Sequence, residues 1–173
     1  MPAEWRIVPL DRKHDRSAFD CGEPALNDYL ACYARQNQGS GIARTFVAVE
    51  DEVPDRILGY YSLTVGGMDK ANLSPEAAKR FPNYPLPVAR LVRLAVDLGA
   101  RAQGLGEHLL MDALHRCLRV AREVGVVAVL VDAKDDKAKR FYARYEFESM
   151  PDQPLLLWLR MRAVSRLFAE TNK

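Results

Sequence analysis

Three consecutive patterns between residues 90 and 131 constrain this chain more than any other feature. Val92, Leu94, Val96 and Leu98 alternate with Arg93, Ala95 and Asp97, the period of a strand with two unequal faces. Glycines at 99, 104 and 106 then interrupt the pattern, and from Glu107 onward apolar residues recur at Leu110, Leu114, Cys117, Leu118 and Ala121. That spacing gives a helix one buried stripe over several turns. Gly125 ends it, and the continuous apolar run Val126–Val131 reads as a strand covered on both faces. Strand, helix and strand in this order imply a right-handed parallel crossover. The expectation is a strand over Leu91–Leu98 and a helix starting near Gly104.

The first junction carries chemistry. The opening turn of a helix has backbone N–H groups without internal partners, and its peptide dipoles place partial positive charge there. Gly104 and Gly106 allow an anion close to the backbone, and Arg101 adds a full charge beside them. No Lys-Ser/Thr pair follows the glycines, so the loop is not a P-loop. Leu109 stands where a third glycine would complete G-x-G-x-x-G. On its own, the loop reads equally as a structural turn or as a phosphate cradle.

A chain of 173 residues suits one domain, 1–173, and its 28% charged and 49% hydrophobic content is that of a globular protein. No apolar run nears the ~20 residues of a membrane span, and the first residues lack a signal peptide's apolar core. Cys21, Cys32 and Cys117 are odd in number and unclustered, which fits a reduced, cytoplasmic protein and no metal site. The net charge of +2 is uneven: residues 1–70 carry 8 Lys/Arg against 11 Asp/Glu, whereas residues 71–173 carry 17 against 12. Of the 25 basic residues 18 are Arg, which suits bidentate phosphate contacts where they share a face and solvated helix surfaces where they do not.

Elsewhere, Trp5–Leu10 reads as an edge strand because of Pro9. Pro24 opens a helix with Leu26, Tyr29, Leu30 and Tyr33 on its apolar side, ending before Gly39. Thr45–Val49 and Arg56–Val65 read as an antiparallel hairpin, and Pro75–Arg80 as a short helix before the proline-rich connection through Pro87. Asp135–Tyr145 reads as a helix, Phe147–Met150 and Leu155–Met161 as strands, and Arg162–Lys173 as a terminal helix.

At this point two motifs become recognisable together. Arg101-Ala-Gln-Gly-Leu-Gly106 resembles the acyl-coenzyme A signature R/Q-x-x-G-x-G/A of the GNAT N-acetyltransferases, and Ala138-Lys-Arg-Phe-Tyr-Ala-Arg-Tyr-Glu-Phe147 resembles that family's A-x-x-F-Y-x-x-x-G-F. The resemblance implies an α/β fold with a mixed, mostly antiparallel central sheet, splayed between its fourth and fifth strands, and helices on both faces. It implies acetyl-coenzyme A as cosubstrate, held by Leu94, Ala95 and Val96 and by Arg101, Ala102, Gln103, Gly104, Leu105 and Gly106. Cys21-Gly-Glu-Pro-Ala-Leu-Asn-Asp-Tyr-Leu30, with Ala43–Val47, Gly59–Leu63 and Arg93–Asp97, is similar to the GNAT toxins of type II toxin–antitoxin systems. That similarity implies acetylation of the α-amino group of aminoacyl-tRNA, a ribbon-helix-helix antitoxin as partner, and a homodimer. Glu146 stands where the motif has glycine, and Asp135 where many members have Asn.

Acetyl transfer needs an amine lone pair, an oxyanion donor and an acid for the leaving thiolate. Tyr142, matching the family's tyrosine, is the implied acid, and a phenol at ~10 lies near a thiol at ~8.5. An α-amine at ~7.7–8.0 is partly neutral at pH 7, whereas a lysine at ~10.4 is not, so an aminoacyl-tRNA substrate relaxes the need for a strong base. Asp97 is the one carboxylate considered for that role. Arg44, Arg90, Arg93, Lys137, Lys139 and Arg140 are candidates for tRNA phosphates. The odd separation of Arg90 and Arg93 puts them on opposite faces of a regular strand. His108, Asp112 and His115 share a helix face at a metal-compatible spacing, but that face lies opposite the apolar stripe and reads as solvated. Two other functions fit the residues: an N-acetyltransferase for a small amine or protein N-terminus, and a silent acyl-coenzyme A-binding or interaction module.

Overall fold

The structure, a computed structural model, describes residues 4–171. In chain order the elements are β1 (Arg6–Pro9), α1 (Pro24–Asp28), α2 (Ala34–Gly39), β2 (Arg44–Val49), β3 (Gly59–Met68), α3 (Pro75–Ala78), β4 (Leu86–Val96), α4 (Leu105–Ala121), β5 (Ala128–Asp132), α5 (Asp136–Ala143), β6 (Glu148–Met150), β7 (Gln153–Arg160) and α6 (Met161–Thr171). A π-helical turn, Tyr29–Tyr33, joins α1 to α2, so the predicted helix from Pro24 is continuous but widened in its middle. The strands pair in the order β1-β2-β3-β4-β5-β7-β6. β4 and β5 run parallel, while β1–β2, β2–β3, β5–β7 and β6–β7 are antiparallel, so the sheet is mixed as expected.

The chain divides into two compact units, one of the described residues up to Thr64 with Val92–Ala113, the other of Val65–Leu91 with the described residues from Leu114 on. β3, β4 and α4 each run through both.

In the first unit β2 and β3 form the predicted hairpin, registered Arg44↔Leu63 to Ala48↔Gly59, and Thr45 and Ser62 face each other with buried hydroxyls 2.6 Å apart. Adjacent strand residues point to opposite faces, and Tyr60 and Tyr61 show where each face leads. The Tyr60 hydroxyl donates to the Leu26 carbonyl on α1 at 2.7 Å, while the Tyr61 hydroxyl donates to the Asp112 carboxylate on α4. Helices therefore cover both faces here. Tyr60 sits in a core with Phe19, Tyr29, Leu30, Val47, Val49 and Ala95. On the other face, a side chain at Gly59 would meet Leu109 at 2.8 Å and Leu105 at 3.2 Å, so only glycine lets α4 approach this closely.

In the second unit β5 pairs with β4 over Val88↔Ala128 to Leu91↔Val131 and with β7 over Ala128↔Arg160 to Asp132↔Leu156. Its residues Ala128–Val131 are buried, as the continuous apolar run requires. Met68, Leu86, Val88, Leu130, Met150 and Trp158 share a core with Ala77 of α3.

Several boundaries differ from the sequence expectation. β3 begins at Gly59 rather than Arg56 and continues through Gly66 and Gly67, where added side chains would meet the Arg90 stem at 3.2 Å and Pro85 at 3.3 Å. Those glycines serve close strand packing rather than a turn. β4 starts at Leu86, five residues before the predicted Leu91, and includes Pro87, whose carbonyl accepts the Val127 N–H at 2.9 Å. A proline lacks only the donor, so it is tolerated near a strand's first residue. Leu98 leaves the strand for the turn Leu98–Ala100, because its N–H is taken by the Asp20 carbonyl at 2.8 Å. Cys117 is buried, and burial pushes its thiol up to about 12, so it is packing material rather than a nucleophile. Among the described residues no helix is long and apolar enough to cross a membrane.

Candidate active site

The glycine loop is a shaped concavity. Ala102 and Gly104 both have positive φ, 63° and 84°, and α4 starts immediately afterwards at Leu105. The two positive-φ residues bend the chain sharply into the first turn of α4, whose N–H groups lack internal partners and attract anions. Nothing lies within 4 Å of where a Gly104 side chain would stand, so the backbone there is open to an incoming group. The backbone donors, the opening helix turn and this open space fit the pyrophosphate of coenzyme A.

The loop is held by a segment far away in sequence. Asp97, only 9% exposed, accepts the Asp20 N–H at 3.0 Å through one carboxylate oxygen and the Gly99 N–H at 2.9 Å through the other. Arg56 lies 3.8 Å from that second oxygen. Asp20 in turn accepts the Gly22 N–H at 2.9 Å and the Asn27 amide at 3.0 Å, and these bonds hold its carboxyl below the usual carboxylate range. Asn27 accepts the Cys21 N–H, and Arg101 donates to the Cys21 carbonyl at 2.7 Å. Gly22, at φ 86°, leaves room for that guanidinium 3.3 Å from where its side chain would be. The stretch Cys21–Leu30, read from sequence only as a family marker, is thus the brace of the loop. Asp97 is not free to act as a base, since backbone donors occupy both its oxygens. Asp20, Asn27 and Arg56 were missed, and no local pattern in the sequence signals a bond spanning 77 residues.

The strand leading into the loop bonds to the β3 side through alternate residues. The Asp97 N–H bonds to Leu58 at 2.8 Å on the β3 side, and Ala95 turns its carbonyl to the same side, beside Gly59. Backbone polar groups alternate along a strand, so Leu94 and Val96 direct theirs to the opposite edge. Within the second unit β5 pairs with β4 from Val88 to Leu91. An extended arm carrying amides can pair with Leu94 and Val96 as an added strand would.

In the second unit, Asp135 caps α5 by accepting the Ala138 N–H at 2.8 Å, so aspartate performs the capping at this position. Tyr142 is buried between the rings of Phe141 and Phe147, at 5.1 and 5.5 Å, and burial pushes its phenol above its ordinary value. The near match to a thiol expected from reference values does not hold for this buried phenol. Glu146 takes φ 72°, so the chain keeps the left-handed turn that a glycine would make easily.

The basic candidates are found in both units. Arg93 lies over the Tyr29 ring at 3.6 Å in the first unit. Arg90 lies 3.5 Å from Asp132 in the second. Arg44 is exposed at the start of β2, and Lys137 and Arg140 are exposed on α5 with Lys139 half-buried between them. His108, Asp112 and His115 are each engaged elsewhere, with Trp5, Tyr61 and Phe168 respectively. Among the described residues no group of three His, Cys, Asp or Glu could hold a metal ion.

Comparison with known proteins agrees with this geometry. Residues 41–149 match the acetyltransferase (GNAT) domain. The chain is 39% identical over 168 residues to the tRNA-acetylating toxin of Mycobacterium tuberculosis, covering 97% of each. AtaT in complex with acetyl-methionyl-tRNAfMet superposes with a TM-score of 0.88 at 28% identity, covering 95% of this chain and 99% of that one. A tyrosine-to-phenylalanine mutant of AtaT, bound to the C-terminus of the antitoxin AtaR and acetyl-coenzyme A, has a TM-score of 0.82 at 25% identity, covering 95% and 98%. The protein belongs to the GNAT acetyltransferases, among the tRNA-acetylating toxins.

Proposed function

We propose that this chain, as a single functional domain, acetylates the α-amino group of aminoacyl-tRNA and thereby blocks translation. The observation that carries the reading is the positive-φ loop at the start of α4, into which β4 runs and which Arg101 braces against Cys21. Acetyl-coenzyme A, when bound, supplies the acetyl group as a thioester. The N–H groups of Gly104, Leu105 and Gly106, with Ala102 and Gln103 shaping the turn, hold its phosphates; Arg101 fixes the loop through Cys21. Leu94 and Val96 orient the pantetheine arm along the β4 edge, with Ala95 anchoring the strand to β3.

Tyr142 is the proton donor in this proposal. Its Oη is protonated at physiological pH, as any tyrosine near ~10 is, and burial raises it further; poorly solvated surroundings likewise raise the basicity of a departing thiolate. The α-amine needs little help to lose its proton, consistent with Asp97 being committed to backbone N–H groups. Kinship with a tRNA-acetylating toxin at 39% identity supports the substrate, and the AtaT–AtaR complex supports an antitoxin partner. In the same proposal the antitoxin has a ribbon-helix-helix region, the toxin is a cytoplasmic homodimer, and Arg44, Arg90, Arg93, Lys137 and Arg140 contribute to substrate binding.

The test is mass spectrometry of aminoacyl-tRNA incubated with labelled acetyl-coenzyme A. Acetylated aminoacyl groups are expected with the wild type, and Tyr142→Phe is expected to lower kcat by about 10²–10³, the scale of a lost general acid. Absence of product across all isoacceptors overturns the reading, and an unchanged kcat in the variant removes Tyr142 from it.

A further inference from the structure

The second unit carries a groove of about 730 Å³ walled by α3, β6, β7 and the start of α6, which none of the acetyl-transfer residues above uses. Four arginines line it: Arg80 two residues past α3, Arg160 closing β7, and Arg162 and Arg166 on α6. Among the described residues none of the four makes an ion pair. Arg162 and Arg166 are four residues apart and so share one helix face, a like-charge arrangement that costs helix stability unless an anion relieves it. The Arg160 guanidinium lies 4.8 Å over the Trp158 ring, which holds it against the wall.

The rest of the lining narrows the choice of occupant. Among the apolar lining residues Leu73, Phe147, Met150 and Trp158 are buried in the core and Pro151 is exposed, so the groove presents mainly polar and charged groups. Glu76, Glu146 and Glu148 also line it, leaving one net positive charge from four guanidiniums and three carboxylates. Three of the guanidiniums, those of Arg160, Arg162 and Arg166, fall within seven consecutive residues at the β7–α6 junction. Such a strip suits successive phosphates of one strand, since guanidinium pairs with phosphate bidentately. Phe147, on the groove wall, touches the Tyr142 ring at 5.5 Å, so the strip adjoins the motif that carries the proposed acid.

We propose that this groove binds the phosphate backbone of the substrate RNA, with Arg160, Arg162 and Arg166 as the principal contacts and Arg80 facing them. The proposal rests on the reading of the chain as an aminoacyl-tRNA acetylase and adds a binding surface distinct from the basic residues named above. It predicts that the enzyme grips its substrate beyond the aminoacyl end.

Fluorescence anisotropy with uncharged tRNA tests it without catalysis. Arg162→Ala with Arg166→Ala is expected to weaken binding at least tenfold near 100 mM salt and to lower the slope of log K against log salt by about 1.8, two phosphate contacts at ~0.9 each. Arg80→Ala, on the other wall, is expected to lower it by about 0.9, so a folding defect in α6 cannot mask the result. With an aminoacylated CCA trinucleotide as acceptor, kcat of the α6 variant is expected to match wild type, while KM for full-length aminoacyl-tRNA rises tenfold. Unchanged affinity and salt slope in both variants overturn the proposal. So does a switch from oligomer to monomer in light scattering with RNA affinity retained, which makes the groove a contact between copies of the chain, or the loss of antitoxin binding alone. Should wild type bind tRNA through these arginines yet acetylate no aminoacyl-tRNA, the activity reading falls and the groove assignment stands.

Discussion

Gly104 separates the anion cradle from mere backbone geometry, because its conformation and its surroundings point to different consequences. At φ 84° any other residue is strained, at about 1–2 kcal/mol for a left-handed L-residue. The replacement recovers about 0.4–1 kcal/mol from a less flexible unfolded chain. Nothing within 4 Å meets the new side chain, so no steric term is added. Gly104→Ala should therefore cost about 0.5–1 kcal/mol, a fall in Tm of about 1–4 °C for a chain of this size. Gly104→Glu should cost the same stability, since its side chain also enters open space. The two variants diverge in binding. A carboxylate about 4 Å from a phosphate charge at an effective dielectric near 20 is repelled by about 4 kcal/mol, which lowers coenzyme A affinity roughly a thousandfold. Alanine brings no charge and should lose no more than about tenfold. Thermal melts give the first comparison and titration calorimetry with acetyl-coenzyme A the second. Equal affinity of Gly104→Glu and wild type refutes the cradle. Equal losses by both variants refute the electrostatic argument and leave only the shape of the turn.

Three further outcomes follow from the same physical reasoning. Glu146→Gly should raise stability by about 0.5–1 kcal/mol, because glycine adopts φ 72° without strain; a melt with no gain refutes it. Asp97→Ala strips acceptors from the Asp20 and Gly99 N–H groups and should cost about 2–3 kcal/mol, with Asp97→Asn losing roughly half as much by denaturant titration. His14 is buried and its Nδ1 accepts the Asp11 N–H; burial, the leading cause, lowers its affinity for protons below the ordinary 6.5. The unfolded chain then binds the proton first, so stability should decline as pH falls from 6.5 toward the folded value, and His14→Gln should remove that slope.

Much of the scaffold was legible because its causes are local. The period-two run before Asp97, the 3.6-residue stripe of α4 and the apolar run of β5 each specify an element within a few residues, and their order specifies the parallel pair β4–β5. Two short motifs then implied acetyl-coenzyme A through their resemblance to the GNAT signatures, and the N–H groups that would hold its phosphate belong to the helix start itself. Boundaries were less legible where another part of the chain competes for the same groups. Leu98 continues the alternation, yet its N–H is taken by Asp20; the expected strand ends at Val65, yet β3 runs on through Gly66 and Gly67, where Arg90 and Pro85 leave little room for a side chain.

What the sequence by itself determined is the succession of elements, the glycine loop and the tyrosine of the second motif, all of which rest on neighbours along the chain. Tertiary structure alone decided that Asp97 is a clamp and not a base, that Cys21–Asn27 braces the loop, and that burial moves the Tyr142 phenol above its reference value. It likewise decided that Arg90 and Arg93 meet Asp132 and Tyr29, while four other arginines line one groove. The physical reason is common to all of these: a charge or hydrogen bond acts through distance in space, and residues as far apart in the chain as Asp20 and Asp97 become neighbours only when the sheet has formed.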